Sequence, residues 1–577
     1  MKQLIIRLSF LLLLVAPMSI VQAQIQKGEL FKGKLTSSEI TPTEKHHYKI
    51  NLEKDQFAFF KLMQKGVDMK ITTYDPKGEK IGDFDSPNGK NGPEFFTLIS
   101  GKEGIYVIEV SPFDENETLG NYDLTVELIK PKATTPNEQV DEIFATWDNN
   151  ESPGASVAIV KDGEIIYKKG YGLANLEYDI PISPSSIFHI ASVSKQFTVF
   201  SILLLEKQGK LSLDDDIRKY IPEVPDFGKT ITLRHLASHT SGLRDQWNLL
   251  SMAGWRMDDV ITKEHVLKLV SKQKELNFNP GEDDAYCNTG FTLLAEVVSR
   301  VSDMSFAEFT KANIFEPLKM SNSLFYDDHE KIVKNRTYSY YSSPGGYKKS
   351  VLNYANVGAT SLFTTVEDLA LWSMNFSNLT VGDSAIVNKM NTPVVLKGIA
   401  LGQFVGKYKG LKEIQHGGAD AGYRSYLTRF PDENFTVIVL SNSAEFNPGR
   451  MAHKVVDIYL KDRIKIDRIK PHQEDQIMEA PRTESFDKAS VNLSEFSGEY
   501  YSEELSTTYN FMVVNDNLVA KHSRLSDFNL NPMKKDIFNG EAWFFGQIEF
   551  IRDSNDMITG YKVSNGRVRN LYFKKVK

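Results

Sequence analysis

The period of the apolar residues changes twice along this 577-residue chain, and those two changes constrain the fold more than any single motif does. From about 28 to 128, apolar and polar residues alternate in short runs, as at 57–62, 69–74, 106–110 and 122–126. Turn residues such as Asp75-Pro76-Lys77-Gly78 separate the runs. A period of two is the mark of strands with one buried face, and no helical period interrupts them. Such runs build an all-β sandwich of about 100 residues, closed by the proline-bearing linker at 130–136. From 137 to 463 helical patterns dominate between two strand-rich ends. One end is a hairpin, 155–160 with 165–169, turned at Asp162-Gly163; the other is the pair 423–430 and 435–441, followed by a helix from about 449 to 461. Strands from both ends of one region predict a single antiparallel sheet flanked by helices, with a helical subdomain beside it and a cleft between. After a charged stretch at 465–488, read as a second linker, short strands return from 496 to 577 and predict a small β-barrel or curved sheet. The predicted fold class is multidomain α and β, with domains at 24–130, 137–463 and 490–577.

Composition bounds the function. With 41% hydrophobic and 25% charged residues the chain is not a disordered polymer. A net charge of −7 without a basic block argues against nucleic acid or an anionic membrane surface as partner. Residues 1–23 read as an export signal: Lys2 and Arg7 precede an apolar run, and Val21-Gln22-Ala23 offers small residues for cleavage before Gln24. No other long apolar stretch would anchor the chain in a membrane. A soluble periplasmic or secreted protein is expected. Cys287 is the single cysteine, so no intramolecular disulfide can form.

Ser-x-x-Lys occurs three times, at Ser192/Lys195, Ser271/Lys274 and Ser485/Lys488, so the tetrad alone says little. Only Ser192 sits at the head of an apolar helix. Positions i and i+3 share a helix face, which places the Lys195 ammonium beside the Ser192 hydroxyl. The helix N-terminus favours the oxyanion formed when such a serine attacks a carbonyl. A serine also needs a base. Tyr286-Cys287-Asn288 follows the turn Asn279-Pro280-Gly281-Glu282 and precedes an amphipathic helix at 291–301, which would hold Tyr286 and Asn288 on a rigid loop; a second Tyr-x-Asn, at Tyr354, has no such support. His416-Gly417-Gly418-Ala419 precedes the second strand-rich end, where glycines would let backbone approach a ligand and an edge-strand N–H could face it.

These elements, in this order, resemble the class C β-lactamase and penicillin-binding serine hydrolase superfamily over about 137–463. The stretch from Ala191 to Thr198, Leu236-Ala237-Ser238-His239-Thr240-Ser241-Gly242-Leu243 and Ile314-Phe315-Glu316-Pro317-Leu318-Lys319-Met320 share the likeness. The resemblance implies Ser192 as acylated nucleophile, Lys195 and Tyr286 as the proton-transfer pair, and Asn288, His416, Gly418 and Ala419 at the substrate, with N–H groups of Ser192 and Ala419 as oxyanion donors. Which of Lys195 and Tyr286 takes the first proton stays open. His416 stands where β-lactamases of the family carry lysine, and the segment from Val357 to Phe363 lacks the family's paired glycines. Small esters, amides or D-amino-acid peptides, cell-wall peptide among them, are the implied substrates. A β-lactamase and a non-catalytic penicillin- or peptide-binding sensor are the alternatives. Neither a metal-ligand cluster nor a phosphate loop occurs, so no cofactor is expected. The N-terminal region resembles the pre-peptidase type of sandwich and the C-terminal one the lipocalin-like barrel of some D-aminopeptidase relatives. Trp247 and Trp255 are candidates for an insertion over the cleft, and His239 for a packing or capping residue.

Overall fold

A computed structural model describes residues 23–465 and 491–577, apart from 87, 88, 115, 344 and 396. All but the last residue of the expected export signal 1–23, and nearly all of the charged 465–488 stretch, lie outside the described residues. The chain divides into two units, one of residues up to Thr134 with 342–347, the other Thr135–Tyr341 with Lys348–Lys577.

In the first unit, strands Ala23–Glu29, Glu44–Leu52, Gly104–Pro112, Met69–Tyr74 and Lys80–Phe84 form a five-stranded sheet. Thr36–Ile40, Gly120–Pro131, Gln56–Lys65 and Asn91–Ile99 form a four-stranded one. The alternation seen in the sequence is the alternation of burial: Phe60, Leu62, Phe96 and Leu124 point inward from one sheet to meet Tyr48, Ile71 and Ile108 of the other. Phe60 and Phe96 stack at 4.5 Å between ring centroids.

The second unit is built on a six-stranded antiparallel sheet that draws strands from both ends of the region. Its order is β2-β1-β6-β5-β4-β3, with β1 Ala155–Lys161, β2 Glu164–Tyr171, β3 Phe404–Tyr408, β4 Leu411–Asp420, β5 Tyr423–Phe430 and β6 Phe435–Ser441. The β1–β2 turn needs two left-handed residues and has them in Asp162 (φ 50°) and Gly163 (φ 82°). The central strands β1 and β6 bury both faces, which is why they read as unbroken apolar runs. Val157, Ile159, Val437 and Val439 face α1 (Pro136–Phe144) and α5 (Pro448–Tyr459). The alternate residues Ala158, Val160, Ile438 and Leu440 face the opposite core, which holds α2 (Lys195–Lys207), α3 (Asn288–Ser302) and α4 (Val366–Asn378). Helix α2 is buried on nearly every side from Lys195 to Leu205, so its sequence is apolar all round rather than striped.

The C-terminal strands close into an eight-stranded barrel: Tyr500 in the first (Gly498–Ser502) pairs with Lys575 in the last (Leu571–Lys575). The barrel packs on the short helix Gln246–Met252, whose Leu249 and Met252 enter the barrel's own apolar cluster. The Tyr509 hydroxyl donates to the Met252 carbonyl (3.0 Å), and buried Arg244 pairs with Glu504 (2.5 Å) and donates to the Arg569 carbonyl (2.9 Å). The attraction within a buried ion pair of this kind is offset by the cost of removing both charges from water, so it adds little net stability.

Candidate active site

Ser192 lies in a single 3₁₀ turn, Ala191–Ser194, and Lys195 is the first residue of α2 rather than a residue within it. The turn is strained: Ala191, with a side chain, holds φ 47°. Two contacts maintain it. The Ser425 hydroxyl of β5 donates to the Ile190 carbonyl (2.7 Å), and Gly418 of β4 lies so close that a Cβ there would sit 2.4 Å from that same carbonyl oxygen. Gly418 was expected at the substrate. Instead it lets β4 press against the Ser192 turn, and it is Gly417, with His416 and Ala419, that borders the cavity beside Ser192.

Lys195 is fully buried. Its Nζ lies 2.9 Å from Ser192 Oγ, donates to Asn288 Oδ1 (2.8 Å) and the Ala359 carbonyl (2.7 Å), and is 5.0 Å from the centroid of the Tyr286 ring. Burial pulls its pKa down to about 7, against the attraction of Asp420 and Asp245. Burial has the opposite effect on the Tyr286 phenol, whose pKa rises well above its ordinary value despite a hydrogen bond with Ser192. Both effects favour the uncharged forms.

Asn288 was expected on a loop with Tyr286, but it opens helix α3. Its backbone N–H and its Nδ2 both donate to Asp245 Oδ2 (2.7 and 2.8 Å), which leaves Oδ1 to accept from Lys195. Only an amide offers donor and acceptor on one planar group, so the position demands asparagine. Asp245 in turn caps the helix Gln246–Met252 by accepting from Trp247 N (3.0 Å). Tyr286 is held from behind by His239, whose Nδ1 accepts from Cys287 N (3.0 Å) and whose ring lies 4.3 Å from the tyrosine ring. The packing role expected of His239 is therefore the support of this loop.

A cavity of about 310 Å³ brings Ser192, Tyr286, Asn288, His416 and Ala419 together, with Trp247, Asp420 and Arg567 on its walls. Strand β3 pairs with β4 only as far as Gln415, so the stretch from His416 to Asp420 has an open edge there. His416 is uncharged: burial, then the neighbouring Lys195, pull its pKa down to about 3, and its Nδ1 hydrogen-bonds the Gly417 carbonyl (2.6 Å). It does not supply the cation that lysine would. Trp255, the other candidate, instead packs its ring at a tilt beside His265, 4.3 Å between centroids, and is not part of this lining. In the wall segment that lacks paired glycines, Gly358 (φ 97°) and Ser361 (φ 72°) both take left-handed backbone, so a serine occupies a conformation that favours glycine.

Three residues of this site carry no local signature. Asp245 and Asp420 are ordinary loop and strand-end acids in sequence, and Asp420 is recognisable only by following directly on the His-Gly-Gly-Ala stretch. Burial raises the Asp420 carboxyl, which accepts a hydrogen bond from the Thr360 hydroxyl. Arg567 comes from the barrel, in the connection between its last two strands, Ile558–Ser564 and Leu571–Lys575. The connection is tied down: the Arg567 carbonyl accepts from Asn277 Nδ2 (3.0 Å) and Asp245 N (3.3 Å). Its guanidinium lies 4.9 Å from the centroid of the Tyr286 ring, and among the described residues no carboxylate pairs with it.

The family model described as Beta-lactamase matches residues 140–459, more than half of the chain. The chain belongs to this family. With it comes membership of the β-lactamase and penicillin-binding serine hydrolases. A D-aminopeptidase of Gluconobacter oxydans (strain 621H) is 28% identical over 297 residues, which is 50% of this chain and 56% of the relative. Penicillin-binding protein 4* of Bacillus subtilis (strain 168) is 28% identical over 333 residues, 53% of this chain and 72% of the relative. This Beta-lactamase family chain thus spans little more than half the length of the first of these relatives. The crystal structure of SurE, 19% identical, superposes over 76% of this chain and 99% of its own with a TM-score of 0.50, a likeness of fold.

Proposed function

We propose that this chain is an exported serine hydrolase that is acylated at Ser192 by small esters, amides or D-amino-acid-containing peptides, and that it prefers substrates bearing a free carboxylate. The observation that carries the reading is the buried Lys195 amine, 2.9 Å from Ser192 Oγ with its pKa drawn down to about 7. A neutral amine is a base and a neutral phenol is not, so Lys195 takes the Ser192 proton as Oγ bonds to the carbonyl carbon. Negative charge collects on the carbonyl oxygen beside the Ser192 and Ala419 N–H groups. The carbon–nitrogen or carbon–oxygen bond then breaks, and the leaving group receives the proton through the Tyr286 hydroxyl. Water, deprotonated by the same pair, releases the acid and restores Ser192.

The pH dependence follows from this assignment. Protonated Lys195 cannot accept a proton, so kcat/KM should fall about tenfold per pH unit below the amine's pKa and level off above about 7. Because Lys195 and Asp420 attract each other, the midpoint belongs to the pair. A rate profile that is flat from pH 5 to 9 would exclude Lys195 as the base.

Substrate choice rests on charge. His416 is neutral, while Arg567 presents to the same cavity a guanidinium that no carboxylate among the described residues pairs with. The D-aminopeptidase relative supports a peptide or amide substrate. A charge-assisted contact is worth about 1.5–3 kcal/mol, so Arg567→Gln should raise KM for a peptide ending in D-Ala-D-Ala at least ~10-fold and leave the matching C-terminal amide unchanged. Steady-state kinetics on that pair, beside short acyl esters, D-aminoacyl amides and cephalosporins, tests both the activity and the selectivity. Equal KM changes for acid and amide would remove Arg567 from carboxylate recognition.

A further inference from the structure

A second cavity, of about 340 Å³, opens on the helix-covered side of the sheet, at the end of β5 remote from Ser192. Along β5, Ser425 stands opposite Gly418 of the catalytic stretch and Arg429 opposite Ile414, so the two sites are separated by about 13 Å of strand. Arg429 is at the heart of this cavity. It is 4% exposed, and its guanidinium lies flat on the Phe376 ring, 3.5 Å from the centroid. Among the described residues its side-chain hydrogen bonds run from Nη2 to two neutral amide oxygens, Asn391 Oδ1 (3.2 Å) and Gln403 Oε1 (3.0 Å), and the buried Nε has no partner.

No carboxylate compensates this charge among the described residues. The single acid on the cavity's lining, Asp162, is at its mouth with a side chain 65% exposed, and its nearest cation is Lys161 at 4.0 Å. Burial lowers the Arg429 pKa only to about 9, and nothing else shifts it, so the group is a cation at neutral pH. A buried, hydrogen-bond-deficient cation without a counter-ion costs several kcal/mol, and a protein that holds one at the wall of an open cavity has a place for an anion. The remaining walls are suited to one. Ser377 and Thr436 offer hydroxyl donors, while Phe376 and Met374 offer an apolar surface.

We infer that Arg429 is the anchor of a second ligand site, which binds a small oxyanion, a carboxylate or a phosphate, independently of catalysis at Ser192. The guanidinium supplies paired N–H donors to two oxygens, the geometry that makes arginine the preferred partner of both groups. The site is distinct from the carboxylate contact proposed for Arg567, and neither depends on the other.

The test is calorimetric titration of the full chain in an anion-poor buffer with acetate and with inorganic phosphate, chloride of equal ionic strength serving as the reference. One saturable site per chain, filled by either anion and absent with chloride, is the expected result; acetate alone would assign a carboxylate and phosphate alone a phosphate. Arg429→Met should abolish that binding. Should this variant not fold, Ser377→Trp decides: Ser377 is exposed at the cavity's rim, so the indole can block the entrance without disturbing the core. It should weaken binding at least tenfold. Absence of saturable binding to the parent chain, or undiminished binding to the variant that folds, overturns the proposal. Ser192→Ala should bind as the parent does, which keeps the outcome separate from the fate of the hydrolase reading.

Discussion

Ser192→Ala is expected to lower kcat/KM at least ~10³-fold on any substrate the parent turns over, the scale of removing an activated nucleophile. The loss should be chemical and not structural. Ser192 is half-buried, and its hydroxyl is held by Lys195 and Tyr286, so truncation to alanine should change stability by no more than about 1 kcal/mol. The strained Ala191 backbone, the Ser425 clasp on Ile190 and the close approach of Gly418 do not involve the Ser192 side chain and persist in the variant. Two measurements make the result specific. The melting temperature should stay within a few degrees of the parent, and mass spectrometry after exposure to a slow acylating agent such as a penicillin should find an adduct on the parent and none on the variant. A variant that retains the parent rate removes the acyl-enzyme mechanism altogether.

Lys195→Met should cost about 10²–10⁴ in the acylation rate, the range for a positioned base. It removes the acceptor for the Ser192 proton and with it the donor to Asn288 Oδ1 and to the Ala359 carbonyl. Each buried acceptor left without a donor costs about 1–3 kcal/mol, offset in part because the penalty of burying an amine disappears as well. Stability should therefore fall less than activity. Arginine cannot substitute: its guanidinium stays protonated, and its planar fork does not match three divergent partners. Single-turnover acylation separates this step from deacylation. A methionine variant that acylates within tenfold of the parent, with the same pH profile, would transfer the base role away from Lys195.

Much of the site was legible in the chain because its parts are local. Ser192 and Lys195 lie three residues apart across one turn, and such a pair meets whatever the rest of the fold does. Tyr286 and Asn288 were legible as a pair for the same reason, although the loop expected for Asn288 is the first turn of α3, where Asp245 receives its backbone N–H. The three architectures were legible from periodicity, since an alternating run must put alternate residues on opposite faces. The role of Gly418 was not: glycine beside a motif histidine reads as space for a ligand, and the structure fills that space with the Ile190 carbonyl and the Ser425 hydroxyl.

The sequence by itself determined which side chains can do chemistry here and how the short-range pairs meet, because helix turns and strand alternation are set within a few residues. Tertiary structure alone decided their electrical state. Nothing in the linear pattern says that Lys195 or His416 departs from its ordinary protonation; burial draws the Lys195 pKa down to about 7 and leaves His416 uncharged. It also decided where charge remains. Arg567 reaches Ser192's cavity from 375 residues along the chain because the barrel docks on the helix Gln246–Met252, and among the described residues Arg429 has no counter-ion because Asn391, at the end of the helix Ser384–Asn391, and Gln403, just before β3, bring it amides instead of acids. Charge and protonation depend on the whole surrounding volume, and a linear pattern holds no record of that volume.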